Sequence, residues 1–354
     1  MANTNIITAR EFPGGPPPGA SDLAVMRWGA KHPPADPTVS FAGKTVLVTG
    51  ANTGLGFEAA VKFSALGADK LILGVRSAER GEAAKARILE FTGRPSNTIS
   101  IVTVDLSTSA SVKAFIPALE KETTRLDIAL LNAGICNPTY EASKEGWEMG
   151  VQVNVMSTAL MAILLLPILR ATAAATGGAS KPHMVFVNSH GHKGVKEDWL
   201  AKSPDKSLLK VTNDADKWDY VKSYSLVKLL AMAVMRAVAR STVAGPNGPE
   251  IIVNAVCPGL CKTDLGRNFG MMARIMQAPF QAIFGRTAEE GGRALVSATA
   301  LGPESHGRFW HHDILFPMGE LAMDDAFMDK TWSEILQAVE RHQPDAQQIL
   351  FHEG

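Results

Sequence analysis

The segment KTVLVTGANTGLGFEAAVKF, residues 44–63, constrains this chain more than any other. It reads as an apolar strand, a glycine-rich turn and a helix in direct succession. The glycines at 50, 54 and 56 permit a tight turn and let the backbone come close to a ligand. The helix that follows offers unpaired N–H groups and the positive end of its dipole at the same place. A turn of this kind, delivered by a strand to a helix, can cradle a phosphate. Taken alone, the glycines are equally well explained as a plain strand-to-helix joint. Their spacing is GxxxGxG, unlike the GxGxxG of other dinucleotide-binding sheets.

The rest of the chain repeats the strand and helix alternation. Apolar runs predict strands at 45–49, 71–75, 99–105, 128–132, 184–188 and 251–257. Between them, helical periodicity fits 56–66, 78–91, 110–122, 145–170 and 224–241. This is the pattern of a parallel sheet covered by helices. The last of these helices stops before Ala-Gly-Pro-Asn-Gly-Pro. Thr287 with Glu290 three residues later reads as a capping box opening a helix over 287–300. Residues 302–330 read as loop and 330–341 as a short final helix. Residues 1–40 are rich in proline and glycine, lack periodicity, and read as an extended arm on a single domain covering 41–354.

The chemistry begins with YSLVK. Tyr224 and Lys228 are four residues apart, on one face of a helix. A phosphate-binding turn followed by such a pair implies work on a nicotinamide cofactor. Reducing a ketone places negative charge on its oxygen, so a proton must arrive with the hydride. Tyr224, with an ordinary pKa of about 10, is the candidate acid. A nearby ammonium and a nicotinamide cation would lower that value. Ser189 can donate a hydrogen bond to the substrate oxygen.

These motifs resemble the short-chain dehydrogenase/reductase family over residues 42–265. The glycine motif stands as TGANTGLG, carrying Gly50, Asn52, Thr53, Gly54, Leu55 and Gly56. The aspartate beside the adenine stands as Asp105, followed by Leu106, in VDLS. The NAG motif is Asn132-Ala133-Gly134, and the helix asparagine is Asn154 in VQVNV. The catalytic serine is Ser189 in FVNSHGH, and YxxxK is Tyr224 with Lys228. The turn after the late strand is Pro258-Gly259, followed by Thr263. The resemblance implies a Rossmann-type, doubly wound α/β fold with a seven-stranded parallel sheet. It also implies a catalytic tetrad of Asn154, Ser189, Tyr224 and Lys228, with Lys228 bonding the nicotinamide ribose. Asn154 would hold a water feeding protons to Lys228.

Cofactor preference is set after the second strand. An acidic residue there would bond both ribose hydroxyls of NAD. Val75 occupies that position and Arg76 follows. A guanidinium can pair with a 2′-phosphate and stack on adenine, so NADP(H) is expected. The alternative is that Arg76 is only a solvent-facing charge at the end of a strand.

The chain also departs from the family. Asn188 stands where a first serine is common. The run Ser189-His190-Gly191-His192 resembles the retinol-dehydrogenase-like and WW-domain-oxidoreductase-like branch. Its histidines either touch substrate or bond backbone. Ser189 and Tyr224 are 35 positions apart, where compact members are much closer. The insert at 194–220 reads as an entrance flap or as a surface excursion. Residues 264–320 are expected to form a substrate lid, and the Met- and Phe-rich run at 266–285 suits a bulky lipophilic substrate.

Composition narrows what remains. Of 354 residues, 46% are hydrophobic, enough for a large core. Lys plus Arg equals Asp plus Glu, 35 each, which removes the electrostatic case for nucleic acid or an anionic membrane. The apolar run at 159–169 is about half of the roughly 20 residues a span needs. Three cysteines make no disulfide framework, and the N-terminus reads as no secretory signal, so a cytoplasmic location is expected. Cys257, Cys261 and His311-His312-Asp313 lack the spacing of a metal site. The expected function is NADPH-dependent reduction of a ketone or aldehyde on a hydrophobic small molecule, with a resemblance to fungal natural-product reductases. A non-redox isomerase or dehydratase and a dinucleotide-sensing regulator are the alternatives. A homodimer through the helices at 145–170 and 224–241 is common in the family.

Overall fold

Strand β1 (Thr45–Thr49) is buried at every residue and lies inside an eight-stranded sheet. The computed structural model describes residues 7, 16, 20–177, 180–201, 203, 205–243, 248–263 and 280–352. Beside β1 run β2 (Lys70–Val75) and β3 (Ile99–Thr103) on one side. On the other run β4 (Ile128–Leu131), β5 (His183–Val187), β6 (Ile252–Cys257), β7 (Phe309–His311) and β8 (Ile314–Phe316). The order is β3-β2-β1-β4-β5-β6-β7-β8, and every pairing is parallel except the last. The expected seven-stranded sheet gains an eighth strand because the chain turns straight back after β7. His312 and Asp313 make that turn, both at φ 56°. Two residues at positive φ match the right-handed twist of a hairpin, and His and Asp tolerate that region better than most.

The strands alternate faces with period two, and two apolar layers result. Leu47, Ile72, Ala129 and Leu131 point into one. That layer is closed by α4 (Ser109–Glu122), α5 (Met149–Ala175) and α6 (Tyr220–Ser241). Val46, Val48, Leu71, Leu73 and Leu130 point into the other. Helices α2 (Gly54–Ala65), α3 (Ala78–Thr92) and α7 (Ala288–Ala298) cover it. The Thr287–Glu290 capping box opens α7.

Helix α5 is long and apolar enough to cross a membrane by length and composition, yet 83% of its most apolar window is buried in the body. It begins at Met149 rather than 145, runs five residues past Arg170, and has a π-helical stretch at Gln152–Ser157.

Other expectations are corrected as well. The N-terminal arm is not simply extended: α1 (Asp22–Lys31) is a helix, with Ser21 Oγ accepting from the Ala24 N–H at 3.4 Å. Residues 302–330 are not loop: they supply β7, β8 and a short helix at Glu320–Met323. The final helix is two helices, α8 (Asp325–Glu340) and α9 (Ala346–Phe351). Of the expected lid, 264–279 lies outside the described residues, and from 288 onward the chain is covering helix and sheet.

Arg170 on α5 fixes the C-terminal end. Its side chain is 8% exposed and Nε donates to Glu250 Oε1 at 2.8 Å. Nη1 donates to the Ile349 carbonyl at 2.6 Å and Nη2 to that of Leu350 at 2.8 Å. A guanidinium on the last carbonyls of α9 is favourable by hydrogen bonding and by the helix dipole. Arg170→Met should therefore lower unfolding free energy by about 3 kcal/mol, the cost of breaking a buried charge network from one side. Urea denaturation would read this as an earlier midpoint at unchanged slope. An unmoved midpoint would show that α9 is held by its apolar contacts alone.

Candidate active site

The carboxyl ends of the strands open into a cleft of about 1520 Å³. It lies where β1 and β4 send their connections to opposite sides, the switch point at which open α/β sheets bind ligands. The turn after β1 forms its floor. Gly50 has φ 68° and Gly54 φ 56°, both conformations that favour glycine. A Cβ on Gly56 would collide with Asn132 Nδ2 and the Gly50 carbonyl. The turn is tied to the exit of β4. Thr49 Oγ1 accepts from the N–H groups of Asn132 and Ala133, both at 3.0 Å, and Asn132 Nδ2 donates to the Thr49 carbonyl at 2.8 Å. The NAG motif thus holds the glycine turn open.

Helix α2 starts at this turn with no side-chain cap and no acidic residue in its first turn. Free N–H groups, the dipole and a close-approaching backbone together fit a pyrophosphate. Gly50, Asn52, Thr53, Gly54, Leu55 and Gly56 line this part of the cleft, with Asp105, Leu106 and Asn132-Ala133-Gly134 beside it. Asp105 is held locally: its Oδ1 accepts from the Ser107 N–H at 2.9 Å. Pro258, Gly259 and Thr263 close the opposite rim, and Thr263 Cβ would lie 3.6 Å from a Cβ on Gly54. At the far end, Arg76 is exposed, lines the cleft near Arg80 and Arg87, and has no hydrogen bond or ion pair among the described residues.

The other end carries the candidate acid. Tyr224 and Lys228 sit in the first half of α6, both half-buried where the helix lines the cleft. Burial raises the Tyr224 hydroxyl above its ordinary value, and its hydrogen bond with Ser189 only partly opposes that. The expected lowering is therefore not made by the protein alone, which holds the phenol protonated. Burial lowers Lys228 to about 8. Lys228 Nζ lies 5.8 Å from the Tyr224 ring centroid and donates to the Val187 carbonyl at 3.2 Å. Ser189 Oγ accepts from the Gly191 N–H at 3.1 Å. Asn188 Oδ1 accepts from the Ser189 N–H at 2.7 Å, and its Nδ2 donates to the Lys228 carbonyl at 3.2 Å. An amide here bonds β5's exit to α6, which a serine is too short to do from both ends.

Asn154 lies in the π-helical stretch. Its Oδ1 accepts from the Ile135 N–H at 2.9 Å and its Nδ2 donates to the Ile135 carbonyl at 2.8 Å. A Cβ on Gly134 would stand 2.9 Å from that Oδ1. The side chain is thus committed to positioning the backbone after β4. Three of the tetrad, Ser189, Tyr224 and Lys228, line the cleft, and Asn154 lines a small adjoining cavity of about 20 Å³ with Tyr224.

The two loop histidines divide. His192 is buried, with Nδ1 against the Ser189 carbonyl at 2.7 Å and Nε2 accepting from the Gly319 N–H at 3.1 Å, so it bonds backbone. His190 lines the cleft and stacks on His311 at 5.6 Å. The insert at 194–220 contains two short helices, Glu197–Leu200 and Leu208–Thr212, the second packed on α6 and α8. Its last residue, Tyr220, opens α6 at the rim of the cleft. Sequence reasoning missed Val25, Met26 and Gly29 as cleft residues and gave Arg286, His311 and His312 no more than a place in the expected lid. No local pattern marks them, because they come together only through packing between the two ends of the chain.

In sequence and in fold the chain is similar to known proteins. A profile described as short chain dehydrogenase matches residues 44–196. The short-chain dehydrogenase/reductase ffsI of Aspergillus flavipes is 45% identical over 336 residues, 94% of this chain and 96% of its own. The short-chain dehydrogenase/reductase phmF of Phaeosphaeria nodorum is 44% identical, covering 94% and 97%. Among solved structures, L-sorbose reductase from Gluconobacter frateurii, complexed with NADPH and L-sorbose, superposes with a TM-score of 0.58 at 20% identity, over 80% of this chain and 99% of that one. At that identity the likeness shows the fold. With full-length relatives at 45% and 44% identity and a Rossmann-like sheet, the chain belongs to the short-chain dehydrogenase/reductase family of oxidoreductases.

Proposed function

We propose that this protein reduces the carbonyl of a hydrophobic ketone or aldehyde to an alcohol with NADPH, in the cytoplasm. The observation that carries the reading is the grouping of Tyr224, Ser189 and Lys228 on one cleft wall, with Lys228 Nζ 5.8 Å from the Tyr224 ring and desolvation raising the Tyr224 hydroxyl. A phenol in this state is a poised proton donor. A dinucleotide-sensing regulator has no use for it.

The cofactor residues would be the turn at 50–56, Asp105, the NAG turn, Lys228 and the Pro258-Gly259 turn. When bound there, a reduced nicotinamide supplies the hydride. The chain's own residues do the rest. Ser189 shares its hydroxyl between Tyr224 and the carbonyl oxygen, orienting the carbonyl. Tyr224 gives its proton to that oxygen as charge develops. Lys228, charged below about pH 8, stabilises the phenolate left behind. Apolar side chains on the cleft wall, Val25, Met26, Val153 and Phe284 among them, suit a lipophilic substrate, in line with the resemblance to natural-product reductases. Loss of NADPH absorbance against a panel of ketones tests the reading. An isomerase or dehydratase would change the substrate without consuming cofactor.

Tyr224→Phe removes the proton donor and little else, so turnover should fall at least ~100-fold, within the range for a general acid, while the NADPH dissociation constant stays put. Retention of more than a small share of the rate would mean another group is the acid.

For Arg76, the contact expected is a charge-assisted bond to the 2′-phosphate. Fluorescence titration of Arg76→Ala should show NADPH binding weakened by about 1.5–3 kcal/mol and NADH binding nearly unchanged. Equal losses would place Arg76 away from the phosphate.

The sign of the pH effect follows from Lys228. Its burial favours the neutral amine, so the ammonium is present below about pH 8 and lost above it. NADPH should therefore bind more weakly as pH rises through that value. A dissociation constant flat well into the alkaline range would contradict a charged Lys228 at the ribose.

A further inference from the structure

The wall of the cleft includes a segment from the N-terminal arm. Val25, Met26, Gly29 and Ala30 form one face of α1 and line the same cavity as Tyr224 and Ser189. Val25 is 5% exposed although its helix lies at the surface.

The helix is fastened there by one buried guanidinium. Arg286 is 3% exposed. Its Nε and Nη2 donate to the Gly29 carbonyl at 3.0 and 2.9 Å, and Nη2 reaches the His32 carbonyl at 2.9 Å. Nη1 donates to the Pro258 carbonyl at 3.1 Å, and Nη2 to His312 Nδ1 at 2.9 Å. These partners are the last turn of α1, the turn after β6 and the tip of the β7–β8 hairpin. A cation on the final carbonyls of a helix is favoured by its dipole. Trp28 adds stacking on His32 at 4.2 Å and an edge contact to His312 at 5.1 Å. Downstream, the Ala35 N–H donates to Asp313 Oδ2 at 2.7 Å.

The fit has no slack. A Cβ on Gly29 would lie 2.5 Å from His312 Cε1 and 3.2 Å from Arg286 Nη2. A Cβ on Gly259, in the Pro258-Gly259 turn, would lie 2.9 Å from Arg286 Nη1. Burial and the neighbouring guanidinium hold His312 down at about 3, so its Nδ1 stays an acceptor for Arg286 throughout the neutral range.

We propose that α1 is a specificity wall of the substrate site, with Val25 and Met26 setting the width available to a bulky apolar ketone and Arg286 locking the wall to the cofactor turn. This rests on the carbonyl-reduction reading of the cleft, deepening it to a substrate class: compact polyhydroxylated carbonyls would leave this apolar face unmatched. The inserted helix face is far in sequence from every family motif, so it can vary without touching the chemistry.

The test uses the full chain saturated with NADP⁺, so that ketone binding is read by calorimetry without turnover. Cyclohexanone and trans-2-decalone are the probes. In Met26→Trp the dissociation constant for trans-2-decalone should rise by about tenfold or more, and that for cyclohexanone by less than about threefold, since steric discrimination in apolar pockets spans such ratios. Gly29→Val should push α1 outward: hydrogen exchange over residues 22–31 should quicken, and the preference between the two ketones should narrow. Should Gly29→Val fail to fold, the Met26 variant alone decides. Equal changes for both ketones in Met26→Trp, no change for either, or no binding of trans-2-decalone to the unaltered chain would each overturn the wall. NADPH consumption with the same ketones, run separately, keeps the two readings apart. Size-dependent binding with no reduction would refute carbonyl reduction while leaving the wall in place.

Discussion

The Thr49 hydroxyl is the contact on which the rest of the site depends. It accepts two backbone N–H bonds from Asn132 and Ala133, while the Asn132 side chain returns a bond to the Thr49 carbonyl. β1 and β4 are adjacent strands whose chains leave toward opposite faces of the sheet. Without a clamp, their ends would be free to drift apart or to fill the gap with side chains. With it, the glycine turn is fixed open over the N-terminus of α2, and Gly134 is brought against Asn154. One hydroxyl and one carboxamide thus join the glycine turn to the helix that carries Asn154.

The acid end is governed by burial. The same low-polarity surroundings push Tyr224 up and Lys228 down. Both shifts favour neutral forms, and so both make proton transfer responsive to any charge introduced nearby. The Ser189 hydroxyl and the Val187 carbonyl hold the two groups in fixed directions. The chain therefore keeps a protonated phenol next to an amine that titrates near neutrality.

What was legible in the sequence had short range. The glycine turn, the NAG turn, Tyr224 with Lys228 and the Thr287–Glu290 capping box each lie within eight residues, so their spacing alone reports geometry. Strand boundaries came out within one or two residues, because buried parallel strands are continuous apolar runs. The illegible parts are those set by tertiary partners. α1 follows a Pro- and Gly-rich run that hides its short periodicity; it is held by Arg286, more than 250 positions away. β7 and β8 are three residues each, too short for alternation to show, and exist because β6 offers an edge. The π-helical stretch around Asn154 reflects a bond to Ile135 that no helical periodicity records. The raised Tyr224 hydroxyl follows from burial, which spacing cannot express.

The central claim is that hydride passes from a nicotinamide in this cleft to a carbonyl carbon held beside Tyr224. Isotope transfer tests it most directly. NADPH carrying deuterium on the transferred face of nicotinamide C4 would be turned over with an apolar bicyclic ketone, and the alcohol analysed by mass spectrometry. The account predicts one deuterium per product molecule, located on the carbinol carbon, and one NADPH consumed for each alcohol formed. Unlabelled alcohol, product formed without cofactor loss, or cofactor oxidised without any alcohol would contradict it.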